Sequence, residues 1–318
     1  MKIGLDIMGG DYAPDATIAG AILAQKEFDK SDKIVLIGDE KIIISKLKEF
    51  NADVQDFEIV HAPDNIGMGE KPIKAFTQKP NSSISVGFKL LKAKKIDAFS
   101  SAGNTGAVLV GAMYSVNTIP GVIRPSIAGL IPKENGGLSL LLDIGANPDS
   151  KPDVLYQFAI LGSIYAKHVM GIKNPRVGLL NIGEEEEKGN LQCQATFQMM
   201  KDTKDFNFVG NVESRELFKN DVDIFVCDGF VGNIILKQIE AMYSLLVKRN
   251  LTDDYFKRFN YENYGGSPIL GINSSVLIGH GISNDIAIKN MLLLSKEITV
   301  TKLSHKIKAA MTKYAQPV

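Results

Sequence analysis

The sequence predicts an α/β protein, a doubly wound αβα sandwich on a mostly parallel sheet. Short apolar runs alternate with helical periodicity along most of the 318 residues, the pattern left by parallel strands joined through crossover helices. Runs such as SLLLD and IFVCD lack polar alternation, so these strands are expected to be covered on both faces. Five of the strands run into loops of Gly, Asn, Asp or Lys, and in at least three a helix-like pattern follows at once.

Strands are expected at residues 3–6, 34–38, 58–61, 98–101, 139–143, 177–181, 206–210 and 224–228. After Pro14, Asp15 can cap a helix with Ile18, Ala19, Ile22 and Leu23 on one face. Ser82 or Ser83 precedes a helix over 84–92. Asn104 or Thr105 can cap the next, with Val108, Leu109, Ala112, Met113 and Val116 as its buried stripe, and Pro120 and Gly121 end it. Pro152 opens a long pattern running to residue 169. Residues 231–264 read as a helical arm carrying Lys248, Arg249, Lys257 and Arg258. The arm is either a solvated helical pair or, functionally, a dimer arm or a dock for an acidic partner, and charge pattern alone favours the solvated pair. With no repeat, low-complexity tract or Gly/Ser linker, one compact domain over 1–318 is the simpler expectation.

Composition removes several function classes. Hydrophobic residues make up 45% and charged residues 23%, and Lys plus Arg equal Asp plus Glu at 36 each. Nucleic acid is therefore not expected as the main partner. The two cysteines, Cys193 and Cys227, have no metal-ligand spacing and fit a reduced, cytoplasmic setting. The chain opens on a strand without a signal-peptide core, and no run approaches the roughly 18 apolar residues of a membrane span. Neither a metal nor a cofactor is expected.

The five loops are residues 6–11 (DIMGGD), 100–107 (SSAGNTGA), 143–147 (DIGAN), 181–190 (NIGEEEEKGN) and 228–233 (DGFVGN). Glycine lets backbone N–H groups approach an anion, and a helix starting there adds its positive end. Because parallel strands share one carboxyl edge, the loops can converge on a site for phosphate or a phosphorylated group.

Each candidate residue has a plainer alternative. In SSAGNTGA the N–H groups of Gly103 to Gly106, the Asn104 amide and the Thr105 hydroxyl can all donate to phosphate; alternatively the segment is a tight turn capped by Asn104. Arg124, between Gly121 and Pro125, can grip phosphate bidentately or be an ordinary surface arginine. Lys188, beside Gly189, can point into the site or belong to the solvated glutamate run. Asp228 can work at the strand edge or cap the following helix. Gly9, Gly10, Asp11, Asp143, Asn147 and Asn233 line the same loops. His280 can be a base, whereas His61, His168 and His305 lie in less suggestive settings. Cys227 can carry an acyl group, but packing as a small apolar residue suits it better. A hydrolase nucleophile lacks its G-x-S-x-G signature.

The ordered motifs DIMGGDYAPD, SAGNTGA, RPS, LLDIGAN with KPD, PRVGLLNIGEE with KGN, FVGNVE, VCDGFVGN with ILK, YGGSPILG and HG with SN resemble those of PlsX-type phosphate acyltransferases. The resemblance covers nearly the whole chain. It implies a fold similar to phosphotransacetylase and the isocitrate dehydrogenase-like group, and conversion of fatty acyl-(acyl carrier protein) and inorganic phosphate to acyl phosphate. It further implies a homodimer and an acyl-phosphate-dependent glycerol-3-phosphate acyltransferase as the next enzyme of bacterial phospholipid synthesis. One departure is the segment 236–264, shorter than the family's, which bears on membrane contact and on the size of the dimer interface.

Phosphate is anionic at neutral pH and the leaving thiol has a pKa of about 8.5, so neither a strong base nor much acid assistance is needed. The expected roles are phosphate binding by the 103–106 backbone, Asn104, Thr105 and Arg124, and charge stabilisation by Lys188. Asp228 is expected to orient Lys188 or handle the thiol proton. An acidic carrier protein would dock on a basic surface, with Lys248, Arg249, Lys257 and Arg258 as candidates. Rival readings are a CoA-using phosphotransacetylase, an NAD-dependent decarboxylating dehydrogenase and a non-catalytic acyl sensor. The dehydrogenase lacks its paired aspartates and a G-x-G-x-x-G after the first strand.

Overall fold

The computed structural model describes residues 1–315. The chain divides into two compact units, Met1–Thr118 with Tyr261–Lys302, and Ile119–Asn260 with the segment from Leu303 onward. Against the expectation of one compact domain, each unit has its own strands and core. The three crossings between them, at 118/119, 260/261 and 302/303, fall in short segments without linker composition, so the sequence did not mark them.

Along the chain the first unit begins with β1 (Lys2–Asp6), α1 (Asp15–Gln25), β2 (Lys33–Gly38), α2 (Glu40–Glu49), β3 (Glu58–His61), α3 (Pro72–Gln78), α4 (Ser83–Lys92), β4 (Ala98–Ser101) and α5 (Thr105–Gly111). A π-helical turn, Ala112–Val116, prolongs α5. The second unit follows with β5 (Ser126–Pro132), β6 (Leu138–Leu142), α6 (Pro152–His168), β7 (Arg176–Asn181), α7 (Leu191–Met200), β8 (Asn207–Glu213), β9 (Ile224–Val226) and α8 (Gly229–Lys248). The chain then returns to the first unit for β10 (Ser267–Leu270), β11 (Ser275–Ile278) and α9 (Asp285–Val300), and ends with α10 (Leu303–Met311) in the second.

In the first unit the strand order is β3-β2-β1-β4-β11-β10, parallel except for β10 against β11. In the second it is β5-β6-β9-β7-β8, parallel except for β5 against β6. Ile3, Leu5, Ile34 and Leu36 are fully buried, as are Phe88 and Phe99, whose rings meet edge-on at 5.1 Å. Leu140, Leu141, Phe158 and Phe225 play the same part in the second unit. The uninterrupted apolar runs thus mark strands covered on both faces, as expected.

β5, β10 and β11 escaped the sequence reading. β10 and β11 are short and lie between Gly, Asn and Ser residues, and β5, though seven residues long, is broken by Gly129 and closed by Pro132, so none shows the uninterrupted apolar run that announces a buried strand. Asp15 is the first helical residue of α1 rather than its cap, and the buried side is Thr17, Ile18, Ala21 and Ala24. The helical arm ends sooner than expected: α8 stops at Lys248, and the remainder is loop with two short 3-10 turns. α8 is also the one described helix long and apolar enough, by length and composition, to cross a membrane. The sequence reading found no such run, because Lys237 and Glu240 interrupt the apolar residues.

Candidate active site

In the first unit β1, β4 and β11 lie side by side and parallel, so the loops after them leave from one edge. Asp6, fully buried at the end of β1, organises them. Its Oδ1 accepts the Met8 N–H at 3.0 Å and its Oδ2 the Ser101 hydroxyl at 2.7 Å, while Ser101 Oγ accepts the Gly103 N–H at 3.0 Å. Burial pushes the Asp6 carboxyl above its ordinary range, against these hydrogen bonds and that of Ser83. The packing is close enough that a Cβ on Gly9 would stand 2.7 Å from the Gly103 nitrogen. Asp11 N–H donates to Gly281 O at 2.7 Å. Gly9, Gly10, Asp11, Gly103 and the loop of His280 therefore meet. His280 itself is half-buried, its ring 5.1 Å from that of Tyr261.

The Asn104 side chain does not serve as expected. Its Oδ1 accepts the Ala107 N–H at 3.0 Å, capping α5, and its Nδ2 lies 3.0 to 3.1 Å from the carbonyls of Gly67, Met68 and Glu70. With both amide hydrogens engaged and 5% of the residue exposed, Asn104 clamps the 67–70 loop instead of reaching for an anion. The free donors belong to the backbone. The N–H groups of Asn104, Thr105 and Gly106 have no partner among the described residues, and Thr105 is exposed. Unpaired N–H groups at the positive end of a helix are suited to receive an anion.

In the second unit β6, β9 and β7 are parallel neighbours, which brings the loops 143–147, 181–190 and 228–233 to one edge. Asp143 is fully buried and accepts from Ile127 N–H at 3.0 Å, Asn147 N–H at 2.6 Å and Asn147 Nδ2 at 2.9 Å. Burial raises its pKa against those bonds. Asn147 Nδ2 also donates to Pro125 O at 2.7 Å, which anchors the segment of Arg124. Asp143 and Asn147 thus build the loop and have little left for a ligand.

Asp228 is half-buried and caps α8, accepting the Val231 N–H at 2.8 Å through Oδ1. The capping alternative holds for one oxygen. Arg124 is exposed, and no partner to its side chain exists among the described residues. Asn233 Oδ1 lies 3.6 Å from where a Cβ on Gly145 would stand.

Lys188 is exposed, held through its carbonyl by Asn181 Nδ2 at 3.1 Å, and its ammonium has no ion-pair partner among the described residues. Gly189, at φ +89°, takes the left-handed turn there, and Asn190 caps α7 through Cys193 N–H at 2.8 Å. The negative charge of Asp228 helps, after burial, to raise the Cys193 thiol pKa, so the α7 and α8 N-termini are electrostatic neighbours. Cys227 is fully buried with its thiol pushed well up, first by burial and then by Asp228 and Asp143, and is no acyl carrier.

Three contributors went unnoticed in the sequence. Asp6 and Ser101 gave no signal beyond ending their strands. Ser283, beside the His280 loop, is buried with its hydroxyl unpartnered among the described residues. Its only mark was the SN pair that follows HG.

These strand-end loops, carried on mostly parallel sheets, define the phosphotransacetylase fold class. The phosphotransacetylase of Streptococcus pyogenes matches with a TM-score of 0.67 at 16% identity over 94% of each chain, a likeness that bears on the fold alone. A family model described as fatty acid synthesis protein matches residues 1–248. A phosphate acyltransferase of Halothermothrix orenii is 43% identical over 324 residues, 95% of this chain and 96% of its own. One of Dictyoglomus thermophilum is 43% identical over 332 residues, 98% of each. The chain belongs to the PlsX-type phosphate acyltransferase family.

Proposed function

We propose that the protein moves a long-chain fatty acyl group from acyl carrier protein to inorganic phosphate. A phosphate oxygen attacks the thioester carbonyl, the C–O bond forms as the C–S bond breaks, and the carrier thiolate leaves and takes up a proton. The open first turn of α5 carries this reading: the N–H groups of Asn104, Thr105 and Gly106 await an anion, and the Thr105 hydroxyl and Arg124 are further phosphate ligands in the proposal. Holding the nucleophile supplies most of the advantage, because phosphate needs no deprotonating base. Lys188, its ammonium uncommitted, stabilises the negative charge that develops on the carbonyl oxygen. Asp228 orients Lys188 or relays the thiol proton through the carboxylate oxygen not used in capping. Family membership supports the same reading.

The acidic carrier protein would meet Lys248 and Arg249, both exposed at the end of α8. Arg258 is withdrawn from that role, since it donates to Lys133 O at 2.7 Å and Gly137 O at 2.6 Å, and Lys257 is paired with Asp254 at 2.9 Å. The apolar flank of α8, where Phe230 is 60% and Ile234 51% exposed, is the proposed homodimer face. A cytoplasmic location, peripheral at the inner face of the membrane beside a glycerol-3-phosphate acyltransferase, completes the proposal.

Purified protein incubated with long-chain acyl carrier protein and phosphate should yield acyl phosphate and free carrier thiol in equal amounts. Activity with acyl-CoA but none with the carrier protein would move the chain to the CoA-using class. No phosphate-dependent thiol release from either donor would leave only the non-catalytic reading.

A further inference from the structure

A second concentration of positive charge lies at the opposite edge of the second unit's sheet. Lys167 and His168 belong to the last turn of α6, Lys173 precedes β7, Lys306 projects from α10 and Lys313 from the 3-10 turn Thr312–Tyr314 that follows it; together they line a cavity of about 510 Å³. In a chain with 36 basic and 36 acidic residues, four lysines around one cavity are not a by-product of overall charge. Asp205 is the single carboxylate in the lining. It is already occupied by Lys313 and by the Tyr156 and Tyr314 hydroxyls, and these contacts hold it ionised below its usual range despite burial. Lys167 and Lys173 have no ion-pair partner among the described residues, and the Lys306 ammonium lies 3.1 Å from His168 Nδ1. Burial and the charges of Lys306 and Lys167 lower the His168 pKa, so the imidazole stays neutral and accepts from Lys306. The remaining walls are partly apolar, from Ile160, Ile164 and Phe206, and Asn174 and Asn207 also line the cavity.

The cavity sits where β7 and β8 begin, at Pro175 and Asn207, whereas Lys188 follows the far end of β7. Six strand residues separate the two edges, roughly 17 to 20 Å at about 3.3 Å each. A ligand here does not share the acyl-transfer loops. Four lysines against the one carboxylate of Asp205 raise the local potential and favour a multivalent anion, and the volume suits a ligand of nucleotide size.

We propose that this basin binds a soluble oligophosphate of the nucleoside di- or triphosphate class, with phosphates on Lys167, Lys173 and Lys306 and the base against Ile164 and Phe206. Calorimetric titration of the full chain with ADP and, separately, with pyrophosphate at 0.15 M salt should give saturable binding. Lys167→Gln combined with Lys173→Gln should weaken it at least tenfold while acyl phosphate formation without added nucleotide stays unchanged. Tighter binding of ADP than of pyrophosphate supports the proposal, whereas equal binding of the two would overturn its placement of the base against Ile164 and Phe206. Binding that survives the lysine changes would belong to the strand-end loops and overturn the proposal. So would the absence of saturable binding, or a lysine-dependent attachment to phosphatidylglycerol vesicles without binding of either soluble anion. Thermal denaturation of the double variant in the absence of ligand checks that the fold is intact.

Discussion

The Gly229 N–H donates to the carbonyl oxygen of Asn147 at 2.7 Å, and a Cβ on Gly229 would stand 2.9 Å from that same oxygen. The first helical residue of α8 is thereby fastened to the loop after β6. Gly229→Ala should push the two apart, lower stability by about 1 to 3 kcal/mol, and reduce turnover. Chemical denaturation beside the acyl phosphate assay measures both. A variant with parental stability and turnover would show that the loop yields without cost.

Asn104→Ala should cost about 1 to 2 kcal/mol, because it removes a helix cap and releases the 67–70 loop together. Since the proposed anion donors of this turn are backbone groups, the variant should bind phosphate more weakly through disorder of the turn, seen as a raised KM for phosphate with a smaller change in kcat. A loss confined to kcat would restore the side chain to the chemistry.

Lys188→Ala should leave the denaturation midpoint unchanged, because its side chain is exposed and unpaired. Turnover should fall about 10²-fold, the scale for removing one charge-stabilising donor. Near-normal turnover would take Lys188 out of the mechanism.

The gathering of strand-end loops was legible because glycine and asparagine are costly in strands and helices, and their recurrence at strand ends announced close-packed turns. Legible too were Asn104 as a cap and the parallel apolar strands. What Asn104 grips was not: the 67–70 loop lies over thirty residues away in sequence, and no local pattern encodes which carbonyls an amide will meet. Asp6 likewise reads as a strand end, although its value lies in the hydroxyl of Ser101, 95 residues on. The division into two units was hidden because the chain crosses between them without a linker.

Lys133 and Asp223 form a buried pair at 2.6 Å, and Arg176 adds a second contact at 3.0 Å. Although burial opposes it, this pairing lowers the Asp223 pKa from 3.8 to about 2. A carboxylate depressed on folding stabilises the fold above its unfolded pKa and loses that contribution as pH falls through the folded value. About 2 kcal/mol should therefore disappear between pH 4 and pH 2. Denaturation midpoints across that window should fall for the parent. Asp223→Asn should be less stable than the parent at pH 7, with part of the acid-dependent loss missing. An identical slope in both would assign the acid response to other carboxylates.

Ile234→Glu with Leu245→Glu should shift the protein toward monomer, since both side chains stand about half exposed on α8. Light scattering across a concentration series reads the change. Unaltered mass at every concentration would place self-association elsewhere.

The donors at the head of α5 are main-chain atoms. If they hold the phosphate as proposed, exchange at 105 removes the hydroxyl ligand at the rim, yet every amino acid except proline brings the same N–H to the same place. In the proposed site, the part of selectivity that these main-chain donors carry would reside in how far the turn opens, a dimension set by Ser101, Asp6 and the clamped loop beneath. Exchange at the exposed position should accordingly cost only the contribution of its hydroxyl, while changes in the buried struts would retune which anion fits.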